Sequence, residues 1–212
     1  MNHKHKMGWW QMFQWLSALF ILSLWMSAAQ AHAQKKTHAV AAQSKTAKQV
    51  MTEHTDDLRS LMQTLYDEHP EELAKSTQVG AREMTEWVFD GKANWKFDAI
   101  RQTQQTEAIA LVVDPGYTGD HVLALVVGLE TLLFNAYGGK NEYEIPPSID
   151  GKALVQVACE LESLQGQLDA HAKQVDILSQ ASSRQHIQQT LQTIIHRIRG
   201  QFPGQASANV KC

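Results

Sequence analysis

The chain is 212 residues long with 43% hydrophobic and 19% charged residues, which excludes a wholly disordered polymer. Its 12 Gly and 5 Pro exclude a collagen-like or linker-dominated one. Nineteen Lys and Arg against 22 Asp and Glu leave a formal charge of −3, without the basic excess of a dedicated nucleic-acid binder.

Residues 1–14 hold Lys4 and Lys6 and no acid; an apolar run from Trp15 to Met26 follows, and small residues close it at Ser27–Ala33. A positive start, a short apolar core and small residues before a cut are the parts of a secretory signal peptide. The pattern predicts residues 1–31 as the signal, cut after Ala31 or after Ala33, and an exported product, periplasmic or secreted. The alternative is an uncleaved membrane anchor, with Trp9, Trp10 and Phe13 extending the apolar run toward the roughly 20 residues that span a bilayer. Residues 1–33 carry two of the bases and none of the acids, so the remainder is at −5.

Residues 32–49 contain four Lys, no acid and few large apolar groups, a composition that cannot offset its ordering entropy. They are expected to form a flexible basic linker ahead of a helical domain over 50–200. From Thr46 to Glu68, Val50, Met51, Leu58, Leu61, Met62, Leu65 and Tyr66 recur at three and four residues, one face of a helix. Pro70 reads as a first helical position, and Leu73, Thr77, Gly80, Met84, Trp87 and Val88 extend one inward stripe to Asp90-Gly91. A third helix is predicted over about Asn94 to Val113.

Asp114-Pro-Gly-Tyr-Thr-Gly-Asp120 breaks the pattern. The next segment, Val122–Phe134, is the most apolar of the mature chain and contains Glu130. Its length suits a buried core helix rather than a membrane span, although Val122–Val127 also fits a strand. Asp150 is expected to cap a helix running to about Gln180, and Ser183 to cap a last one ending before Gly200; residues 201–212 read as a frayed tail. The fold class is all-α, one bundle-like domain of about six helices.

Charge is uneven. Residues 53–90 carry net −7 and residues 177–212 carry +4. The asymmetry reads either as an acidic partner-binding face or as first and last helices lying side by side.

No phosphate loop, dinucleotide fingerprint, nucleophile elbow, zinc-protease motif, Glu-x-x-His pair or haem-attachment motif occurs. No metal, cofactor or catalytic residue is therefore assigned. Cys159 and Cys212 are candidates for a disulfide in an oxidising compartment. The loop before the apolar helix and the Gly-Gly after it supply candidate binding residues: Asp114, Tyr117, Asp120, His121 and Tyr137. His121 follows Asp120 at a helix N-terminus, where a carboxylate favours the macrodipole; Asp120 is expected to cap and His121 to be half exposed.

Asp114-Pro-Gly-Tyr-Thr-Gly-Asp120-His-Val-Leu-Ala-Leu125, Gly128-Leu129 and Ala136-Tyr-Gly-Gly-Lys140 resemble a group of exported bacterial helical proteins of unknown function, over residues 80–170. The resemblance implies a helical domain behind a signal peptide and no activity. Val155-Gln-Val-Ala-Cys159 departs from it by being less polar.

These features predict an exported, non-enzymatic helical protein acting through contacts with another envelope protein, meeting a membrane only if its N-terminal segment is retained. The competing expectations are a module for an apolar small molecule or lipid, suggested by Trp87, Phe89, Trp95, Phe97 and the 122–134 helix, and an enzyme using Asp120, His121 and Tyr117.

Overall fold

The computed structural model describes residues 45–91, 94–139, 145–146 and 150–202. The expected signal peptide, the expected linker up to residue 44, the expected tail from residue 203 and Cys212 lie outside the described residues. The described unit is all helical: α1 (Ala47–Glu68), α2 (Pro70–Ser76), α3 (Ala81–Phe89), a 3-10 turn (Asp98–Ile100), α4 (Gln105–Val113), α5 (His121–Ala136), α6 (Gly151–Ala170), α7 (Asp176–Ser179) and α8 (Ala181–Gln201).

Every residue of α5 from His121 to Leu133 is buried, and a helix that is apolar all round belongs at the centre of a bundle. It packs on α1, α2, α4 and α6, while α8 lies against α1 and α6. Gly128 explains how closely α4 approaches α5: a Cβ there would stand 2.6 Å from Ile109 Cγ1 and 2.9 Å from the Gln105 carbonyl oxygen. Thr131 fixes the same crossing, its Oγ1 accepting from the Gln105 backbone N–H at 2.7 Å. On α1 all seven apolar positions of the sequence pattern are buried. Thr46 starts that helix with a capping box, accepting from Gln49 N–H while its own N–H donates to the Gln49 side chain.

Several expected helices are shorter. The segment from Pro70 to Asp90 is divided because Thr77 and Gly80 are extended and Thr77 Oγ1 accepts from Val79 N–H, a side-chain turn that competes with helix. The division turns Trp87 outward. Met84, Thr85 and Val88 form the buried face of α3, and Trp87 is 44% exposed. The helix expected from Asn94 is a 3-10 turn and then α4, parted by left-handed Arg101 and Gln102 (φ 56° and 55°). The helix from Asp150 ends at Ala170, where His171 Nδ1 donates to the Gln167 carbonyl, and α7 follows separately. Ser183 does not cap the last helix but lies inside its first turn, fully buried. These divisions turn the expected six helices into eight α-helices among the described residues.

The charge asymmetry follows from the packing. Arg197 of α8 bonds Asp57 (2.7 Å) and Glu53 (3.1 Å) of α1, so the acidic first helix and basic last one are neighbours.

Candidate functional site

The loop ahead of α5 folds on itself. Asp114 Oδ1 accepts from Gly116 N–H at 2.9 Å and its carbonyl accepts from Tyr117 N–H at 3.0 Å. The Tyr117 ring then lies over Gly119, where a Cβ would meet the phenolic oxygen at 2.4 Å. Only glycine permits that approach. The Tyr117 hydroxyl donates to the Ala99 carbonyl at 2.8 Å, and its ring meets His121 edge-on at 5.1 Å.

Two buried carboxyls converge on the first turn of α5. Asp120 Oδ1 accepts from Leu123 N–H at 2.8 Å, while Oδ2 accepts from Tyr66 and Ser76 hydroxyls, each at 2.7 Å. Glu72 of α2 accepts from His121 N–H at 2.7 Å, from Lys75 Nζ at 2.7 Å and from His121 Nδ1 at 3.1 Å. A buried helix start has amide donors that need acceptors, and carboxylates there gain from the macrodipole.

The two carboxyls are displaced in opposite directions. Burial pushes Asp120 above the usual carboxylate range, and the Glu72 charge adds to that, against the pull of the Leu123, Ser76 and Tyr66 donors. Burial acts upward on Glu72 too, yet His121, Lys75 and the His121 backbone N–H together hold it below its ordinary value. Burial and the Asp120 charge push Tyr117 up to about 12 and Tyr66 well above its usual range. Neither phenol is poised to ionise near neutrality.

Tyr117, Asp120 and His121 are thus brought together, and His121 is buried rather than half exposed. Asp114 is occupied by its own turn. Tyr137 is at the other end of α5, about 25 Å away along the axis. There Arg197 Nη1 donates to His54 Nδ1 (3.0 Å), which leaves the proton on Nε2 to donate to the Tyr137 hydroxyl oxygen (3.0 Å); that hydroxyl donates to Gln201 Oε1. Burial, reinforced by the Arg197 charge, lowers His54 to about 3, so it is neutral. Cys159 is disulfide-bonded, and Cys212 lies outside the described residues.

A second histidine network escaped the sequence reading. His69, in the corner between α1 and α2, places Nδ1 3.0 Å from Glu71 Oε1 and Nε2 2.8 Å from Ser183 Oγ. The outline is that of a Glu-His-Ser relay, but Ser183 is fully buried and its hydroxyl donates to Glu68 Oε2 at 2.6 Å. A serine whose hydroxyl proton goes to a carboxylate has no proton directed at the imidazole that a relay would use as base. The network fastens the start of α8 to the α1–α2 corner.

At the Asp120 end, Glu72 orients His121 through Nδ1, and no described residue presents a hydrogen-bond partner to Nε2. That is half of a general base without a nucleophile beside it. Among the described residues no cluster of His, Cys, Asp and Glu has the arrangement of a metal site, and no helix is long and apolar enough to cross a membrane. A cleft of about 190 Å³ runs between α4, α5 and α6, lined by Ile109, Leu132, Leu161 and Leu164 among others. Pockets for drug-sized ligands hold about 300–1,000 Å³. Comparison with known protein families, curated proteins and solved structures found no match.

Proposed function

We propose that this chain is an exported, non-enzymatic helical protein that works through protein contacts in the cell envelope, with the outer face of α3 as the contact surface. The observation that carries this reading is Trp87. It is the one large apolar side chain exposed among the described residues, at 44%, whereas the polar groups around Asp120 are taken up in holding α5. Exposed tryptophans are over-represented among residues that dominate interface energetics. Glu83 precedes Trp87 by four residues, placing an exposed acid on the same face. The partner surface this suits is an apolar pocket bordered by basic side chains. Residues 1–33 support the envelope address.

The apolar cleft beside α5 supports a second reading, capture of a small apolar molecule, restricted by its volume to something well below lipid size.

A photoactivatable amino acid at position 87 tests the main reading, with position 174, exposed in the turn between α6 and α7, as control. A discrete protein adduct is expected at 87 and none at 174, and Trp87→Ala is expected to abolish the association while leaving thermal unfolding unchanged. Equal labelling at both positions would overturn the proposal. So would a substrate-dependent activity lost in a folded His121→Ala protein.

A further inference from the structure

Glu130 is the carboxyl inside the most apolar helix. It is 3% exposed; Oε1 accepts from Thr55 Oγ1 of α1 at 2.9 Å, and Oε2 has no hydrogen-bond partner among the described residues. One neutral donor does not compensate a full charge withdrawn from water. The site is built for the carboxylic acid, and burial, opposed by Thr55 and Arg59 and aided by Asp56, raises Glu130 to about 7.

The cation that would answer an ionised Glu130 is nearby and engaged elsewhere. Arg59 follows Thr55 by one helical turn, so the two share a stripe of α1. Its guanidinium grips Asp90, just past the end of α3, through Nη1–Oδ2 at 2.7 Å and Nη2–Oδ1 at 2.8 Å, and lies over the Phe89 ring at 5.0 Å. That pair is partly in water, with side-chain exposures of 32% for Arg59 and 60% for Asp90. Water screens even a bidentate ion pair this exposed, whereas a buried carboxylate without a partner is strongly unfavourable. The balance between the two acceptors therefore turns on the Glu130 proton.

The remaining charged groups on the helices around α5 are occupied or remote. Glu107 of α4 is exposed, Glu160 of α6 borders the cleft beyond Leu132, Glu162 of α6 holds Arg199, and Glu72 and Lys75 of α2 bond each other beside His121. On α1, Asp56 opposes the charged form of Glu130 and Arg59 favours it.

We propose that Glu130, Arg59 and Asp90 form a proton-controlled latch. With Glu130 protonated, Arg59 stays clamped to Asp90 and ties the end of α3 to α1. When Glu130 ionises, Arg59 turns inward to it, Asp90 is released, Phe89 loses its cationic cover and the end of α3 loosens. Because the latch is read at Asp90, it stands whether or not Trp87 meets a partner.

Carboxyl-carbon NMR titration of the full-length chain tests it, beside Glu130→Gln, whose amide oxygen still accepts from Thr55. The Glu130 resonance is expected to titrate with a midpoint of about 7. The Asp90 resonance, whose own ionisation is held below the usual range by Arg59, is expected to shift again at that same midpoint. In Glu130→Gln the second Asp90 step disappears. Titration of Glu130 in the ordinary carboxylate range, or an Asp90 resonance that ignores the Glu130 midpoint, would overturn the latch. Both outcomes can be read in the wild-type chain even if the variant does not fold.

Discussion

At Asp120 two carboxyl oxygens serve three donors: the Leu123 N–H that opens α5, and the hydroxyls of Tyr66 and Ser76. Asp120→Ala removes a helix cap, a loss of about 1 kcal/mol, and leaves the buried Tyr66 hydroxyl without an acceptor, a further ~1–3 kcal/mol. Ser76 is only partly buried and can turn to water. The expected loss is therefore roughly 2–4 kcal/mol in urea unfolding. Asp120→Asn should cost much less. Its amide oxygen still accepts from Leu123 N–H, and the two hydroxyls can rotate to accept from its NH2 group. Burial already favours the uncharged acid at this position. Equal losses in the two variants would show that charge, not capping, is what Asp120 supplies. The cap was legible in the sequence, since Asp before an apolar run is a local signal. Tyr66 and Ser76 were not, because they are 54 and 44 residues away and no spacing rule connects them.

Among the elements, the crossing of α4 and α5 depends on the missing side chain at Gly128. Alanine is the better helix former by about 1 kcal/mol, but here its methyl would press on the Gln105 carbonyl and the Ile109 backbone nitrogen at 2.9 and 3.0 Å. Backbone cannot step aside as a rotamer can. Gly128→Ala is expected to destabilise by roughly 1–3 kcal/mol through overpacking. Gly166, inside the C-terminal part of α6 with nothing within 4 Å of its Cβ position, makes the comparison. Gly166→Ala should stabilise by about 0.5–1 kcal/mol, and thermal unfolding of the pair separates crowding from propensity. A Gly128→Ala protein as stable as Gly166→Ala would mean that α4 yields freely. Helices α1 and α5 were readable from periodicity and end signals because their packing obeys the local pattern. The breaks at Thr77–Gly80 and Arg101–Gln102 were not. In the first, a threonine side chain binds its own backbone; in the second, two ordinary residues adopt left-handed angles that nothing in their identity announces. The outward turn of Trp87 follows from the first break, so the residue read as core became the exposed one. Ser183 was assigned to a helix start for its residue type, yet it serves His69, 114 positions away.

For the whole molecule, two neighbouring buried groups in the α1–α5 seam respond to pH with opposite sign: His54 of α1 bonds Tyr137 just past the end of α5, and the adjacent Thr55 bonds Glu130. His54 is lowered to about 3 in the folded state from an ordinary 6.5. Between those values the unfolded chain binds a proton that the folded chain refuses, so stability falls as pH drops from 6.5 toward 3. Glu130 is raised to about 7 from 4.5. Between those values the folded chain keeps a proton that the unfolded chain has lost, so stability is full below 4.5 and declines as pH rises to 7, by at most about 3 kcal/mol. The slopes are equal and opposite where the windows overlap. From these two groups the wild-type chain is expected to show nearly constant unfolding free energy between about pH 4.5 and 6.5, with acid destabilisation below. Asp120, raised by burial, adds to the Glu130 slope, and Glu72 and Asp90, both lowered by their partners, add to the His54 slope. Replacing one member exposes the other. Glu130→Gln should grow steadily more stable from about pH 3 to 6.5, and His54→Gln should lose stability from about pH 4.5 to 7. Denaturant unfolding at half-unit pH steps measures all three curves. Parallel curves in the two variants would mean that neither buried group carries the pH dependence. Crossing curves would place it in the seam between α1 and α5, where one helix brings a histidine that stays neutral and the other a carboxyl that keeps its proton.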